Sequence, residues 1–317
     1  MNILVDLGRA TALRSSDREL LTLAVRLSDG GVVSTLTHAP LEDGLVSELG
    51  SCGIGRVFAP EAVVDQLSVA DAALIDAVIT QTAPGLVLGS SDPEVTEWFA
   101  RLSVRRNAAV ITDAIGIAMD RTVTKSVLAG EWTTQVLPQT DLVFVTVKPN
   151  SVEAAEAPAS STPQVHRISP SDSRPAATVT GTSPKPVSTR PALTEARVVV
   201  AGGRGLDGDF TLVEQLADAL GGAVGASRAA TDAGWIDHSA QIGQTGVTVS
   251  PQLFISVGIS GAIQQRAGMQ TSKVIVAVNK DEDAQVFEIA DFGVVGDLNT
   301  VLPQAIEEIA RRRGQLD

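Results

Sequence analysis

Between Gly225 and Met269 the chain reads GASRAATDAGWIDHSAQIGQTGVTVSPQLFISVGISGAIQQRAGM. Three pieces of this stretch could do chemistry. A short apolar segment ends in Gly225-Ala226-Ser227-Arg228, a polar loop follows at Gln241-Ile242-Gly243-Gln244-Thr245-Gly246, and the apolar run Leu253 to Val257 breaks at Gly258-Ile259-Ser260-Gly261. A strand, a Gly/Ser turn and a helix start make an anion site, because the first amides of a helix lack internal partners and its dipole favours negative charge there. Glycines let the backbone approach an anion with no side chain in the way. The spacing therefore predicts a phosphate or pyrophosphate at 258–261, with Arg228 and Thr245 elsewhere along the same ligand.

Little else in the chain is equipped for catalysis. The three histidines, His38, His166 and His238, are scattered without metal-ligand spacing, and the single cysteine, Cys52, is far from each of them in sequence. Cys52 reads as a small core residue, and His238, in a polar loop, as solvated. There is no nucleophile elbow and no Walker lysine. The chain is built to hold something large and phosphorylated and offers little to convert it, which suits a carrier whose cofactor does the chemistry.

The elements that must position these residues follow in order. Arg197–Val200 reads as a buried strand, and Gly203-Arg204-Gly205-Leu206-Asp207-Gly208 after it matches GxGxxG. Thr211-x-x-Glu214 reads as a capping box for a helix through Leu220, ended by Gly221-Gly222. The next strand, Val224–Ala226, ends in Ser227-Arg228, so the ribose-binding carboxylate of a dinucleotide site is missing. Arg228 there suits a phosphate, as in an NADP enzyme, or a surface ion pair, or another role. Val274–Val278 and Val294-Val295 are further strands, and Val301–Arg312 is a closing helix. In a parallel sheet the strand ends at 200, 226, 257, 278 and 295 share one edge, where ligands sit.

The first 150 residues alternate strands with helices. Ile3–Val5, Val32–Leu36, Val57-Phe58, Leu86–Leu88 and Val110-Ile111 read as strands. Helices follow at Leu20–Leu27, with Ser16-x-x-Glu19 as its capping box, at Leu45–Leu49, at Val69–Ile79 and from Pro93 to about Leu102. Such alternation makes an α/β domain with a mostly parallel sheet. Val123–Leu128, Thr133–Val136 and Leu142–Val147 read as antiparallel hairpins that complete it. Gly89–Asp92 follows a strand, but Asp92 at a helix start repels phosphate, and the loop reads as an ordinary turn. Residues 151–192, rich in Ser, Thr, Pro and Ala, read as a semi-ordered strap interrupted by two short alternations, Val165–Ile168 and Ala177–Thr180, with a hinge near Thr189–Leu193. The expected domains are 1–150, the strap 151–192, and 193–317.

Composition excludes several classes. A chain of 317 residues with 44% apolar content can bury a sizeable core. Its net charge of −13 and longest basic run, Arg311-Arg312-Arg313, argue against a nucleic-acid partner. No apolar stretch approaches the ~18–20 residues of a membrane span. A strand begins at Ile3, which leaves no room for a targeting peptide and points to the cytoplasm.

The pieces VVVAGGRG (198–205), VGASRAA (224–230), QIGQTG (241–246), SPQL (250–253), GISGAIQ (258–264), AGMQ (267–270), VAVNKD (276–281) and GVVGDL (293–298) together resemble the FAD-binding domain of the electron transfer flavoprotein alpha subunit. The resemblance continues more weakly through the first 150 residues. It implies two domains, an N-terminal mostly parallel α/β domain with added hairpins and a C-terminal parallel-sheet FAD-binding domain of the DHS-like NAD/FAD-binding type. It implies FAD, with Arg204, Ser227, Ser260 and Gly261 on the phosphate side. Ile242, Gly243, Gln244 and Thr245 run beside the flavin ring with the threonine hydroxyl near N5, and Arg228 packs over the ring. Ala262, Ile263, Gln264 and Gln265 also contact the cofactor, with Gln265 near N1 and the C2 carbonyl of the ring, and Asn279, Asp297 and Leu298 match the adenosine end. Gln265 stands where the family usually has histidine, and Phe254 and Phe292 stand where tyrosine is common.

By resemblance the chain is an electron carrier and not a stand-alone catalyst. It pairs with a beta subunit carrying AMP or a second FAD, takes electrons from acyl-CoA or other dehydrogenases in fatty acid beta-oxidation, and delivers them to a membrane quinone reductase, the electron transfer flavoprotein–quinone oxidoreductase. The reading from another class is an NADP-dependent dehydrogenase that uses the Gly203–Gly208 loop and Arg228. A third is a nucleotide-binding subunit that keeps the fold alone.

Overall fold

The computed structural model describes residues 1–62, 66–157, 159–169, 174–181 and 189–314. It divides the chain into two compact units, Met1–Ser126 with Thr133–Lys185, and Val127–Trp132 with Pro186–Asp317.

The first unit carries a nine-stranded sheet. Its strands are β1 (Ile3–Asp6), β2 (Val33–Leu36), β3 (Arg56–Pro60), β4 (Leu86–Ser90), β5 (Ala109–Ile117), β6 (Val123–Val127), β7 (Trp132–Val136), β8 (Val143–Val147) and β9 (Gln164–Ile168), in the order β7-β6-β5-β8-β4-β1-β2-β3-β9. Its helices are α1 (Ser15–Ser28), α2 (Asp43–Ser51), α3 (Val69–Thr82) and α4 (Pro93–Arg106). Alternate strand residues point to opposite faces. Ile3, Val5, Val143 and Val145 therefore pack with Leu21 and Leu45 of α1 and α2, while Leu4, Val87 and Phe144 pack with Ile75 and Phe99 of α3 and α4.

Several expectations are corrected here. Leu142–Val147 is not part of a hairpin: β8 lies between β4 and β5 and is parallel to both. All five of its residues are buried, and a strand covered on both faces is apolar throughout, without the alternation of a half-exposed hairpin. The antiparallel addition is β6 against β5. The capping box of α1 sits two residues earlier than expected. Asp17 accepts the Arg14 amide at 3.0 Å, while Glu19 accepts the Asn150 amide at 2.7 Å. Gly89 lies inside β4, and a Cβ there would lie 2.6 Å from Val95 Cγ1, so its role is packing. In the strap, β9 extends the sheet as a parallel neighbour of β3, and Thr178 bridges Gln66; residues 158, 170–173 and 182–188 lie outside the described residues.

A buried charge cluster ties the β1, β2 and α3 ends together. His38, fully buried after β2, lies 3.1 Å from Asp6 and 2.9 Å from Asp71, and its ring stacks on Trp98 at 4.4 Å. Asp71 also accepts the Ser68 amide at the start of α3 and both close contacts from Arg9. Two carboxylates thus face two cations, a pairing that burial requires.

The second unit carries a five-stranded parallel sheet: β10 (Val198–Gly202), β11 (Ala223–Ala226), β12 (Leu253–Val257), β13 (Ile275–Asn279) and β14 (Phe292–Val295), ordered β11-β10-β12-β13-β14. One face is covered by α5 (Thr211–Leu220) and α8 (Leu298–Arg313), through Val213, Leu216 and Leu302. The other face is covered by Ile242, Val249, Ile259 and Met269, which come from the glycine-rich stretch itself. The Thr211/Glu214 capping box does not form; Asp209 accepts the Thr211 amide at 2.9 Å instead.

The charge cluster has a measurable consequence. Burial alone would lower the His38 pKa, but the charge and hydrogen bond of Asp6, with those of Asp71, raise it from 6.5 to about 9. Protonated His38 therefore stabilises the fold fully below pH ~6.5, and this contribution is lost as pH rises through about 9. Removing one partner of a buried pair costs roughly 3–5 kcal/mol. His38→Gln is expected to lose about that much at pH 6 and to flatten the stability profile between pH ~6.5 and 10, read by urea unfolding. Equal pH profiles for the two proteins would show that His38 is neutral in the fold.

Candidate functional site

In the second sheet the chain leaves β10 toward β11 on one side and β12 on the other, so the switch point lies between β10 and β12. Ligands of such sheets bind at the carboxyl ends of the strands at this point. Here the two following turns touch. The Gly203 amide donates to the Val257 carbonyl at 2.9 Å and the Gly205 amide to the Gly258 carbonyl at 3.0 Å. A Cβ on Gly203 would lie 2.5 Å from the Gly258 oxygen, and one on Gly258 would lie 2.9 Å from the Gly205 Cα. Gly258 also has φ +61°, where a side chain is strained. These glycines are needed first for turn-on-turn packing.

The turns open onto a cavity of about 510 Å³, within the ~300–1,000 Å³ of small-molecule sites. Of the residues expected at the site, Arg204, Ser227, Arg228, Ile242, Gly243, Gln244, Thr245, Ser260, Ala262, Gln264, Gln265 and Asn279 line it. Gly261, Ile263, Asp297 and Leu298 do not. Gly261 has φ +83°, and a Cβ there would lie 2.3 Å from the Val286 nitrogen, so its glycine answers to the backbone behind it and not to a ligand in front. Ile263 is exposed. Asp297 caps α8 by accepting the Asn299 amide at 2.8 Å, one strand beyond Asn279 along the same sheet edge.

The anion argument changes its basis. α7 (Ile263–Arg266) is only four residues long and α6 (Arg228–Asp232) only five, so neither sums to a useful macrodipole. What remains is the turn. Among the described residues, the amides of Ser260, Gly261 and Ala262 take no part in backbone hydrogen bonds. Consecutive amides of this kind form an anion-binding concavity. The turn is held by the Ser260 carbonyl, which accepts the Val286 amide at 3.0 Å, and by Asn279, whose Nδ2 donates to the Ile259 carbonyl at 3.0 Å.

Charge and unmet polar groups point the same way. Arg204, Arg228 and Lys280 face the cavity against one carboxylate, Asp281, in a chain of net charge −13. Arg228 is well exposed and pairs with Asp232 at 3.1 Å, so both its surface ion pair and its place at the cavity are realised. The buried Ser227 Oγ and both amide atoms of buried Gln265 have no hydrogen-bond partner. A buried polar group left unpaired costs about 1–3 kcal/mol, and unlike unpaired Thr35, His166 and Ser256 these atoms belong to residues that line the cavity, where a polar ligand can meet them. No group of His, Cys, Asp and Glu suited to a metal occurs among the described residues.

Gln241 and Lys280 line the cavity without having been assigned a role. Gln241 belongs to the QIGQTG loop and Lys280 follows Asn279, but neither spacing nor charge pattern reveals which way a loop side chain faces.

The turn contact is testable. Gly258→Ala is expected to destabilise the second unit by roughly 1–3 kcal/mol in denaturant unfolding. Gly234→Ala, also at positive φ (+73°) but with nothing within 4 Å, separates backbone strain from collision. Equal losses in the two variants would show that the turns do not touch.

Comparison with known proteins agrees with this geometry. Residues 192–270 match the family model for the electron transfer flavoprotein FAD-binding domain, and residues 2–173 match the electron transfer flavoprotein domain. The electron transfer flavoprotein subunit alpha of Mycobacterium leprae is 42% identical over 310 residues, 96% of each chain. Those of Mycobacterium tuberculosis and Bacillus subtilis are 43% identical over 310 residues and 37% identical over 289, covering 96% and 88% of each chain. With both units matched and the cavity framed by the FAD-binding match, the chain belongs to the electron transfer flavoprotein alpha-subunit family.

Proposed function

We propose that this chain holds FAD in the cavity at the β10/β12 switch point and serves as the electron-carrying alpha subunit of a heterodimer. The observation that supports it most is the set of unpaired buried polar atoms, Ser227 Oγ and the Gln265 carboxamide, in a cationic cavity within the FAD-binding domain. When bound, FAD supplies one- and two-electron chemistry that no side chain here provides. Arg204, Ser227 and the amides of Ser260, Gly261 and Ala262 hold the diphosphate, with Ile263 and Gln264 completing that segment. Ile242, Gly243, Gln244 and Thr245 would flank the ring, Arg228 would cover it, and Gln265 would offer a hydrogen bond to its polar edge. Asn279 serves the adenosine end, with Asp297 and Leu298 on the neighbouring loop.

In this reading residues 1–150 and 193–317 are the two domains, joined by the 151–192 strap with its hinge near Thr189–Leu193. The partner is a beta subunit bearing AMP or a second FAD. Electrons come from acyl-CoA or related dehydrogenases and leave to a membrane quinone reductase. The carrier itself works in the cytoplasm, and no helix among the described residues is long and apolar enough to cross a membrane. Nothing supports the NADP-dependent dehydrogenase alternative. Gly203 and Gly205 of its loop are occupied in packing on Gly258, and both matched domains are those of electron transfer flavoproteins.

The chain co-purified with its beta subunit is expected to show the visible absorption of oxidised flavin and to release FAD on acid denaturation. A colourless heterodimer would sink the proposal.

Gln265 makes a second expectation. A protonated imidazole near a ring that gains negative charge interacts by up to about 4 kcal/mol at ~4 Å and an effective dielectric of ~20. A neutral amide hydrogen bond nets about 0.5–1.5 kcal/mol. After screening, the difference of ~1–3 kcal/mol corresponds to roughly 40–130 mV for one electron, at about 59 mV per tenfold. Gln265→His is therefore expected to raise the first reduction potential. The gap should be wider at pH 6 than at pH 9, because only charged imidazole contributes. Spectroelectrochemical titration that returned equal potentials and slopes would place residue 265 away from the ring.

A further inference from the structure

The Gln241 side chain is buried beneath the loop that carries Thr245. Its Oε1 accepts from the Thr231 hydroxyl at 2.9 Å, a proton shared with the Arg228 carbonyl at 3.0 Å, and its Nε2 donates to Thr245 Oγ1 at 3.1 Å. Thr231 is itself buried in α6, the short helix that opens with Arg228. One carboxamide therefore spans the two segments that bring Arg228 and Thr245 to the cavity.

The polarity of this bridge matters. A hydroxyl has one proton and two lone pairs, and an amide NH₂ can only donate. Because Thr245 Oγ1 accepts from Gln241, its own proton is left for another acceptor, and Thr245 lines the cavity. The backbone around Gln241 is held without help from its side chain. The Ile242 amide donates to the Ala226 carbonyl at 2.9 Å and the Val247 amide to the Gln241 carbonyl at 2.7 Å. Gly246 lies so close to that carbonyl that a Cβ would meet it at 2.3 Å. Changing the side chain thus alters the bridge while the loop keeps its frame.

We infer that Gln241 is a positioning residue, whose carboxamide orients the Thr245 hydroxyl so that it offers the bound cofactor a proton and not a lone pair. This rests on the reading of the cavity as the FAD site. Gln241→Glu, an acceptor in the same shape, draws the Thr245 proton inward. Gln241→Leu removes the bridge and leaves the hydroxyl free to rotate.

The test uses the full chain with its beta subunit and reads FAD affinity by titration of the apoprotein, the reduction potential, and thermal stability. Thr245→Ala removes one hydrogen bond and is expected to weaken FAD binding about 3- to 10-fold. A similar drop in the preference for one-electron-reduced over oxidised FAD lowers the first reduction potential by about 30–60 mV, at ~59 mV per tenfold. Gln241→Glu should match Thr245→Ala in both, Gln241→Leu should fall between it and the native protein, and the Gln241→Glu/Thr245→Ala double variant should be no worse than Thr245→Ala. If Thr245→Ala moves the potential and Gln241→Glu does not, the FAD site stands and the role of Gln241 is overturned. If both Gln241 variants shift affinity alike and add to Thr245→Ala, the residue is only structural and the inference also fails. A native heterodimer without FAD would instead overturn the cavity reading itself.

Discussion

The second unit depends on one close approach, the Gly203–Gly205 turn against Gly258. Two backbone hydrogen bonds and a spacing no Cβ could share clamp the ends of β10 and β12 together. That clamp sets where the 258–262 turn leaves the sheet, and so where its free amides face. It also explains why a fingerprint associated with phosphate approach appears here without the ribose carboxylate. The glycines serve backbone packing at the switch point, and the anion concavity lies on the other turn.

From this contact the site grows by loops, not helices. One sheet face has two long helices, while the other is covered by Ile242, Val249, Ile259 and Met269 from the glycine-rich stretch. The cavity-lining chain is therefore also the protective layer of the core. Burying its apolar residues fixes its path, and the polar residues between them are left to face the cavity. This is why Ser227 and Gln265 can be buried yet unpaired: the packing that holds them is not made by their own polar atoms. The local excess of cations in an acidic chain then favours an anionic ligand at that spot while the rest of the surface stays negative.

The first unit solves a related problem with charge. The ends of β1 and β2 and the start of α3 meet in the Asp6–His38–Asp71–Arg9 cluster, stacked on Trp98. With four charges in balance, the buried groups satisfy one another, and the carboxyl edge of that sheet carries ion pairs where the second sheet carries free amides. The same parallel architecture thus has an edge tied by ion pairs in one unit and an edge with free amides in the other.

The order of elements was legible from residues alone, because apolar periodicity and Gly/Pro punctuation are local. The strands expected from such runs between Ile3 and Val295 are present, apart from Ala177–Thr180, where Thr178 makes only an isolated bridge, and twelve of the expected cofactor residues share one cavity. What depended on tertiary structure was everything set by a distant partner. Leu142–Val147 became a central parallel strand because burial on both faces comes from helices far away in the chain. Asp17 displaced the expected cap because Glu19 was drawn to Asn150. His38, unremarkable in the sequence, became charged because two carboxylates 32 and 33 residues away close on it. Gly261 belongs to Val286, and Gln241 faces Thr245 and Thr231, for the same reason: spacing along a chain reports local conformation, whereas the direction of a loop side chain is decided by what packs behind it.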